Sequence, residues 1–325
     1  MIRVFHRSED LWQEVSIETQ ENFSKDNIWV DLISPTLQEI EEVQTRLEIE
    51  IPSRAEMQEI EATSRLYREN DTYFMTASII TNPDIDQMEV SAITFILADR
   101  FLATVRYLNP KPFDSFAARL KRTGSPFSSS MDVMIGLLET LIDRMADILE
   151  LHSAEVERIA KLIFTGNDKD SPTRIDHHET LKDIGMEGNQ FSTMRESLVS
   201  INRMANYMNQ AVAHQPKNKH LMEMLREIRR DLASLADHTS FMSSKINFLL
   251  DATLGMINIE QNEIIRLLSV AAVFFLPPTL IASIYGMNFR FMPELSTQYG
   301  YPLVILLMVT SSFISYLYFK RKGWM

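Results

Sequence analysis

The most strongly patterned part of the chain is its C-terminal end, where two long runs of uncharged, mostly apolar residues lie close together. The first extends from Leu267 to Tyr285 and the second from Ser296 to Phe319. Each run is long enough to cross a hydrocarbon layer of roughly 30 Å as a helix of about 20 residues. The pattern therefore predicts a two-span helical hairpin in a membrane. The alternative is a buried hairpin in a soluble protein, which two adjacent runs of this length disfavour.

The N-terminal part of the chain alternates short β-rich runs with helical patterns, which predicts an α/β domain. The predicted strands are IWVDLIS, YFMTASIIT, VSAITFILA and FLATVRY, and the predicted helices are LQEIEEVQTRLEIE and SRAEMQEIEA. From about Ser128 the pattern changes, because apolar residues recur at steps of three and four over more than thirty positions. This periodicity predicts one long helix and, beyond a turn that ends at Pro172, a second one from about Thr173 to Val212.

A third predicted helix is the longest. From Lys219 to Tyr285 no run of turn residues interrupts the helical pattern, and the first prolines are Pro277 and Pro278 inside the first apolar run. A continuous helix of this length would be a rod of about 100 Å that enters the membrane without a hinge. The two prolines predict either a local widening of the helix or merely a bend, and the sequence favours neither.

Charge is divided unevenly along the chain. Residues 1–263 carry 27 basic and 43 acidic side chains, a net charge of −16, whereas the last 62 residues carry a net charge of +4. A surface without surplus Lys and Arg is a poor partner for nucleic acid, so cations are the favoured partners. Three basic residues, Lys320, Arg321 and Lys322, follow the second span directly, and the positive-inside rule then predicts that both chain ends are cytoplasmic.

A stripe of small and polar residues follows one face of the longest predicted helix, at alternating steps of four and three. It comprises Asp251, Gly255, Asn258, Asn262, Ile265, Ser269, Ala272, Leu276, Thr279, Ser283 and Gly286. Close helix packing is one explanation, since small residues line helix contacts in membranes. Asn258 and Asn262 favour the other explanation, in which the stripe faces a water-filled axis, because water would solvate their amides. Two spans cannot enclose such an axis, so several chains would surround it as a cyclic homo-oligomer.

The side chains along this stripe differ in chemical type from one end to the other. Asp251 would form a carboxylate ring at the cytoplasmic end, Ile265 and Leu276 apolar constrictions, and Thr279 a ring of hydroxyl oxygens. Asn288, just beyond the span, would offer amide oxygens at the outer mouth. Magnesium takes oxygen ligands and sheds its water reluctantly, so neutral oxygens can hold the hydrated ion loosely enough to release it.

Other chemistry is not predicted. The chain has no cysteine, and its seven histidines form no metal-ligand pattern. No Gly-rich phosphate loop, nucleophile elbow or catalytic His/Asp spacing occurs, so the sequence does not predict an enzyme.

The segment Tyr285-Gly286-Met287-Asn288-Phe289, followed by MPEL and then by a second span with a basic end, resembles the CorA magnesium transporter family, in particular its proteobacterial members. The resemblance implies a funnel-shaped homopentamer with an α/β cytoplasmic domain, a long helical hairpin, a stalk helix and two C-terminal membrane helices. It implies a channel for Mg²⁺ influx that also passes Co²⁺ and Ni²⁺, located in the lipid bilayer of the inner membrane. The resemblance implies Mg²⁺ as the transported and regulatory ion and no organic cofactor.

The resemblance also assigns residues. Gly286, Met287 and Asn288 match the selectivity motif. The matching pore-lining positions are Asn262, Ile265, Leu268, Leu276 and Thr279, and the stripe adds Ala272 and Ser283 to the predicted pore lining. Regulatory Mg²⁺ would bridge subunits through Asp251 and Glu227 of the stalk and Asp84 or Asp86 of the α/β domain. Lys320, Arg321 and Lys322 resemble a basic ring around the pore. In the outer loop, Arg290 stands where relatives often have Glu and offsets the charge of Glu294.

These patterns divide the chain into six parts. They are a cytoplasmic α/β domain (1–127), a long-helix region with the stalk (128–263), a first membrane helix (264–286), an outer loop (287–300), a second membrane helix (301–319) and a basic tail (320–325). Two alternatives stay open at this point. One is a zinc-transporting relative of the same superfamily, and the other is a membrane-anchored coiled-coil scaffold, which would not explain the polar stripe.

Overall fold

The computed structural model describes residues 1–8, 11–15, 28–59, 61–82, 88–165, 176–213, 219–287, 292 and 298–323. These residues divide into two compact units, Met1–Leu250 and Asp251–Met325. The strands are β1 (Ile2–Ser8), β2 (Leu11–Val15), β3 (Ile28–Ile33), β4 (Leu66–Glu69), β5 (Thr72–Asn82), β6 (Glu89–Leu97) and β7 (Phe101–Arg106). The helices are α1 (Leu37–Leu47), α2 (Arg54–Met57), α3 (Ala62–Arg65), α4 (Lys111–Leu120), α5 (Ser130–Thr165), α6 (His177–Ala213), α7 (Lys219–Tyr285) and α8 (Gly300–Arg321).

The first unit is built on one mixed sheet with the order β2-β1-β3-β7-β6-β5-β4. Neighbouring strands are antiparallel except β3 and β7, which pair in parallel from Ile28 opposite Phe101 to Ile33 opposite Arg106. The parallel pair lies in the centre of the sheet, where both faces are covered. The four strands predicted from sequence correspond to β3, β5, β6 and β7, which confirms the predicted α/β domain.

Side chains alternate between the two faces of the sheet, and each face has its own core. On one face, Val43 and Leu47 of α1 and Met57 of α2 pack with Val30 and Phe74 of the strands.

The opposite face carries an aromatic stack in which the rings of Phe5 and Trp29 lie 4.6 Å apart and the rings of Trp29 and Phe116 lie 5.6 Å apart. Helix α5 passes close to this stack, because a Cβ added at Gly136 would lie 2.3 Å from the Phe127 ring.

A buried ion pair joins the two parallel strands. Both oxygens of Asp31 accept from the Arg106 guanidinium, at 2.9 Å and 2.8 Å, and both side chains have no solvent exposure. The Thr104 hydroxyl donates to Asp31 at 2.8 Å and accepts from the Trp29 indole N–H at 3.1 Å. Such a pair contributes little net stability when complete, but it is costly to break because one buried charge is left uncompensated.

The long helices α5 and α6 pack along an apolar seam that contains a buried polar contact. The Nδ1 atom of His152 lies 2.9 Å from Glu187 Oε2, and the two side chains are 1% and 6% exposed. The order of a sheet domain followed by two long helices and a longer third helix matches the sequence prediction.

Helix α7 extends over 67 residues from Lys219 to Tyr285, the bounds expected from sequence. In the first unit it buries residues at steps of three and four, the spacing of one helix face. These residues are Leu221, Leu225, Ile228, Leu232, Thr239, Met242, Ile246 and Leu249. Helix α7 contacts α5 here through a Lys245–Glu157 ion pair and through stacked rings of Phe164 and Phe248.

In the second unit, α7 continues through Pro277 and Pro278 without a break, and α8 follows after the loop. Both helices are long and apolar enough to cross a membrane, and their apolar stretches are almost entirely exposed. Exposed apolar surface of this extent is characteristic of helices that meet lipid or other chains.

Candidate functional site

The predicted pore-lining residues lie on one continuous helical segment of α7. With about 100° of rotation per residue, the seven positions from Asn262 to Ser283 fall within about 120° of the helix circumference. At 1.5 Å per residue this stripe is about 30 Å long, which matches the hydrocarbon thickness of a bilayer. All seven side chains are exposed in the single chain, including Leu276 at 63% and Leu268 at 61%. The regular helix therefore places the predicted residues on one accessible face.

The opposite side of the same segment is the covered side. Val270 is 8% exposed, and Phe274, Ile281 and Tyr285 are half-buried. These four positions are centred about 170° around the helix from the stripe. The stripe thus faces away from the side on which α7 packs. The sequence pattern alone did not predict the covered positions, although their bulky side chains recur at helical spacing.

The hydroxyl groups on the accessible face are oriented by the helix itself. Thr279 donates its proton to the carbonyl oxygen of Phe275 at 2.7 Å, and Ser269 donates to that of Ile265 at 2.7 Å. Each hydroxyl has one proton and two lone pairs, so the oxygens keep their lone pairs for other partners. These positions can accept hydrogen bonds from the water shell of a cation.

The two prolines of α7 also leave acceptors on the helix. Neither Pro277 nor Pro278 has an amide proton, so the carbonyl groups of Val273 and Phe274, four residues earlier, lack the usual helical donor. Val273 is 46% exposed, whereas Phe274 lies on the covered side.

The motif Gly286-Met287-Asn288 begins directly after the last residue of α7. The Gly286 amide donates to the Ala282 carbonyl at 2.9 Å, and the Met287 amide donates to the Ile284 carbonyl at 3.3 Å, so the helix closes in a tight turn. A Cβ at Gly286 would lie 3.1 Å from the Ala282 carbonyl oxygen, which explains why glycine suits this position. Asn288, Arg290 and Glu294 lie outside the described residues.

Two of the four predicted regulatory carboxylates lie within the described residues. Glu227 and Asp251 are both exposed on α7, one in each unit. Asp84 and Asp86 lie outside the described residues. Within the described ranges, no group of three or more His, Asp or Glu side chains could hold a metal ion.

The basic residues after the second span lie beside aromatic rings. Lys320 and Arg321 form the last turn of α8, and the ammonium of Lys320 lies 5.8 Å from the centre of the Tyr316 ring. Lys322 lies 5.4 Å from the ring of Tyr318. Tyrosine and basic residues at a helix end are typical of the membrane–water interface.

Fold and site together define a class: a membrane protein in which a soluble α/β unit with long helices precedes two membrane-crossing helices. Residues 24–321 match the family model described as CorA-like Mg2+ transporter protein. The chain belongs to this family.

Curated relatives match nearly all or all of the chain. The magnesium transport protein CorA of Mannheimia succiniciproducens is 34% identical over 298 residues, which is 92% of each chain. That of Salmonella typhimurium is 33% identical over 326 residues and 100% of each chain. Among solved structures, the CorA magnesium transporter of Methanocaldococcus jannaschii matches with a TM-score of 0.78 at 20% identity, over 100% of this chain and 99% of that chain.

Proposed function

We propose that the chain carries Mg²⁺ into the cell along an axis that several copies of α7 enclose, with five copies as the resemblance implies. The observation that supports this most directly is the accessible stripe from Asn262 to Ser283, which faces away from the covered side of α7. A polar helix face exposed to hydrocarbon would leave the Asn262 amide unsatisfied. Around a central axis the same face is hydrated.

The proposed path has three kinds of surface. Gly286, Met287 and Asn288 form the outer selectivity site, where amide oxygens hold the hydrated ion. Ser283, Thr279 and Ala272 form a small and polar stretch whose hydroxyl oxygens accept from the ion's water shell. Ile265, Leu268 and Leu276 form apolar constrictions that close by dewetting, and Asn262 marks the wet inner end.

Regulation in this proposal depends on neighbouring copies. Cytoplasmic Mg²⁺ would bridge Asp251 or Glu227 of one copy to Asp84 or Asp86 of the next, and the bound ions would favour the closed state. Co²⁺ and Ni²⁺ would use the same oxygen-lined path. Both termini would lie in the cytoplasm, with Lys320, Arg321 and Lys322 at the inner surface of the membrane.

The proposal is tested by growth rescue of a bacterium that lacks Mg²⁺ transport, together with uptake of Mg²⁺, Co²⁺ and Zn²⁺ into liposomes that contain the purified chain. We expect rescue, saturable Mg²⁺ uptake and loss of both in Asn288→Ala. Asn247→Ala is the matched control, because Asn247 is exposed on α7 in the first unit. Uptake of Zn²⁺ without Mg²⁺ would favour the zinc-transporting alternative, and an inert oligomer would favour the scaffold.

A further inference from the structure

The first unit contains a polar recess that the transport function does not use. Its volume is about 510 Å³, and it lies between α2, α3, the start of β6, the end of β7 and α6. Pockets of roughly 300 to 1,000 Å³ are typical of small-molecule sites. The lining combines two arginines, Arg54 and Arg65, with two glutamates, Glu89 and Glu196, and one aromatic ring, that of Tyr107.

Among the described residues, the two arginines are held in place by groups other than carboxylates. Arg65 donates to the Glu59 carbonyl and, at 3.1 Å, to the Ser78 hydroxyl, and its side chain is half-buried. The guanidinium of Arg54 lies 4.8 Å from the centre of the Tyr107 ring. Neither forms an ion pair with any residue that the structure describes, unlike Arg106, which is paired with Asp31. A half-buried guanidinium without a counter-charge favours an anion, and phosphate fits its paired donors best.

The wall that carries Glu196 is fixed to the sheet. Ser197 donates from its hydroxyl to the Ser78 carbonyl at 2.8 Å, and the Ser78 amide donates to the Ser200 hydroxyl at 2.9 Å. These bonds hold α6 against β5 and keep Glu196 at the recess. Glu89 reaches the recess from the first residue of β6. Neither carboxylate has an ion-pair partner within the described part of the chain.

A ligand for this recess must therefore present negative charge to the two arginines and positive charge to the two glutamates. A phosphate alone would meet the arginines but would be repelled by the two carboxylates. Magnesium is commonly bound by one or two carboxylates together with the phosphate oxygens of a ligand, and it keeps several waters. A magnesium–polyphosphate complex thus matches both pairs of groups, and the half-buried Tyr107 ring offers a surface for a base.

We propose that this recess binds a magnesium–polyphosphate complex, with Arg54 and Arg65 on the phosphates and Glu89 and Glu196 on the hydrated ion. The site is distinct from the proposed conduction path and does not depend on transport, because all its residues lie in the first unit. A nucleoside triphosphate and an inorganic polyphosphate share this chemistry, and only the nucleotide has a base for Tyr107.

Equilibrium dialysis of the purified full chain in detergent tests the proposal, with labelled ATP at a fixed free Mg²⁺ concentration. We expect saturable binding that disappears when EDTA replaces Mg²⁺, and competition by tripolyphosphate with Mg²⁺ but not by adenosine. Weaker competition by tripolyphosphate than by unlabelled ATP identifies the nucleotide as the better ligand, and equal or stronger competition identifies the inorganic polyphosphate, to which the base adds nothing. Binding that persists unchanged in EDTA, or no saturable binding, would overturn the proposal.

Variants locate the binding. Arg54→Gln and Arg65→Gln should each weaken it by about tenfold, the effect of one charged hydrogen-bond partner. Glu196→Gln should make ATP binding depend less strongly on the Mg²⁺ concentration, since it removes a carboxylate that attracts the ion and repels the phosphate. Arg122→Gln, an exposed arginine beyond α4, is the matched control and should bind as the unaltered chain does. If Arg65→Gln loses helical circular dichroism, the exposed Arg54→Gln decides, and equal losses in Arg54→Gln and Arg122→Gln would refute the site.

Discussion

The two units of this chain differ in how completely they bury their apolar side chains. In Met1–Leu250, strands and helices cover one another, and large side chains such as Trp29, Phe116 and Leu225 are at most 1% exposed. In Asp251–Met325, only Val270 and Phe319 are buried among the large apolar side chains that the structure describes. The same helix, α7, contributes to both units, so helix propensity does not explain the difference.

The difference shows where each unit obtains its stability. Burial of apolar surface stabilises a fold by about 25 cal/mol per Å² removed from water. The first unit obtains this term within one chain, whereas the apolar side chains of the second stay mostly exposed within one chain. In the proposed assembly, lipid and other copies would cover them. In the proposed function, the accessible stripe from Asn262 to Ser283 is the part of the second unit that meets neither the lipid nor its own chain.

The sharpest test of this comparison separates the units. A fragment of residues 1–250 should be soluble without detergent and should unfold cooperatively, because its core is complete. A fragment of residues 1–285, which adds the exposed half of α7, should require detergent. Size-exclusion chromatography and circular dichroism of the two fragments measure this all-or-none difference. Aggregation of the shorter fragment would show that the first unit also depends on other copies.

Some features of the two units could be predicted from sequence more readily than others. The bounds of α7 were predictable because Pro216 precedes the helix, Gly286 follows it, and no run of turn residues lies between. The stripe was predictable because rotation along a helix is a local property. Both follow from near neighbours in the chain.

Other elements depend on distant partners or on short signals. The strand β1 pairs with both β2 and β3, and its short alternating pattern was not distinctive without those partners. The four-residue β4 was too short to detect, and α4 was missed although Pro110 and Pro112 mark its start, where proline favours a helix. The predicted helix SRAEMQEIEA (53–62) contains the short helix α2, which ends at Met57, and reaches only the first residue of α3. Sites that need a second copy cannot be read from one chain.

Within the first unit, the buried pair of Asp31 and Arg106 should show the largest effect of a single substitution. Asp31→Ala should lower the free energy of unfolding of the 1–250 fragment by about 3 to 5 kcal/mol, because Arg106 keeps a buried charge without a partner. The double variant Asp31→Leu, Arg106→Met should recover most of this loss. Asp114→Ala is the control, because Asp114 is 52% exposed where it pairs with Arg3. Urea unfolding measures all four proteins, and equal losses in Asp31→Ala and Asp114→Ala would contradict the interpretation.

A matched pair of leucines on α7 compares the units directly. Leu225 is 1% exposed in the first unit, and Leu276 is 63% exposed in the second. Leu225→Ala should lower the free energy of unfolding by about 2 to 5 kcal/mol, the usual cost of a buried Leu→Ala change. Leu276→Ala should leave this free energy unchanged within about 0.5 kcal/mol, the usual range for exposed positions, while it alters Mg²⁺ uptake. Tryptophan fluorescence of the full chain during denaturation, together with liposome uptake, distinguishes the two, and a stability loss in Leu276→Ala would show that the single chain buries this residue.

The smallest expected effect concerns acid stability, and it involves only the first unit. The pKa values of Glu39 and Glu56 are lowered from 4.5, chiefly because each carboxylate accepts a backbone amide at a helix start, from Thr36 and Ser53 respectively. A lowered folded-state pKa contributes stability above the ordinary value of 4.5, and that contribution is lost as the pH falls through the folded value.

The Glu39 side chain is partly exposed and the Glu56 side chain is exposed, so solvent screening keeps each contribution below about 1 kcal/mol. Glu39→Gln and Glu56→Gln should therefore lower the urea midpoint of the 1–250 fragment slightly at neutral pH, and the difference from the unaltered fragment should shrink as the pH falls below 4.5. Glu41→Gln, an exposed change within α1, is the control. A difference that grows on acidification would contradict the assigned capping, because a protonated carboxyl accepts from an amide less strongly than a carboxylate does.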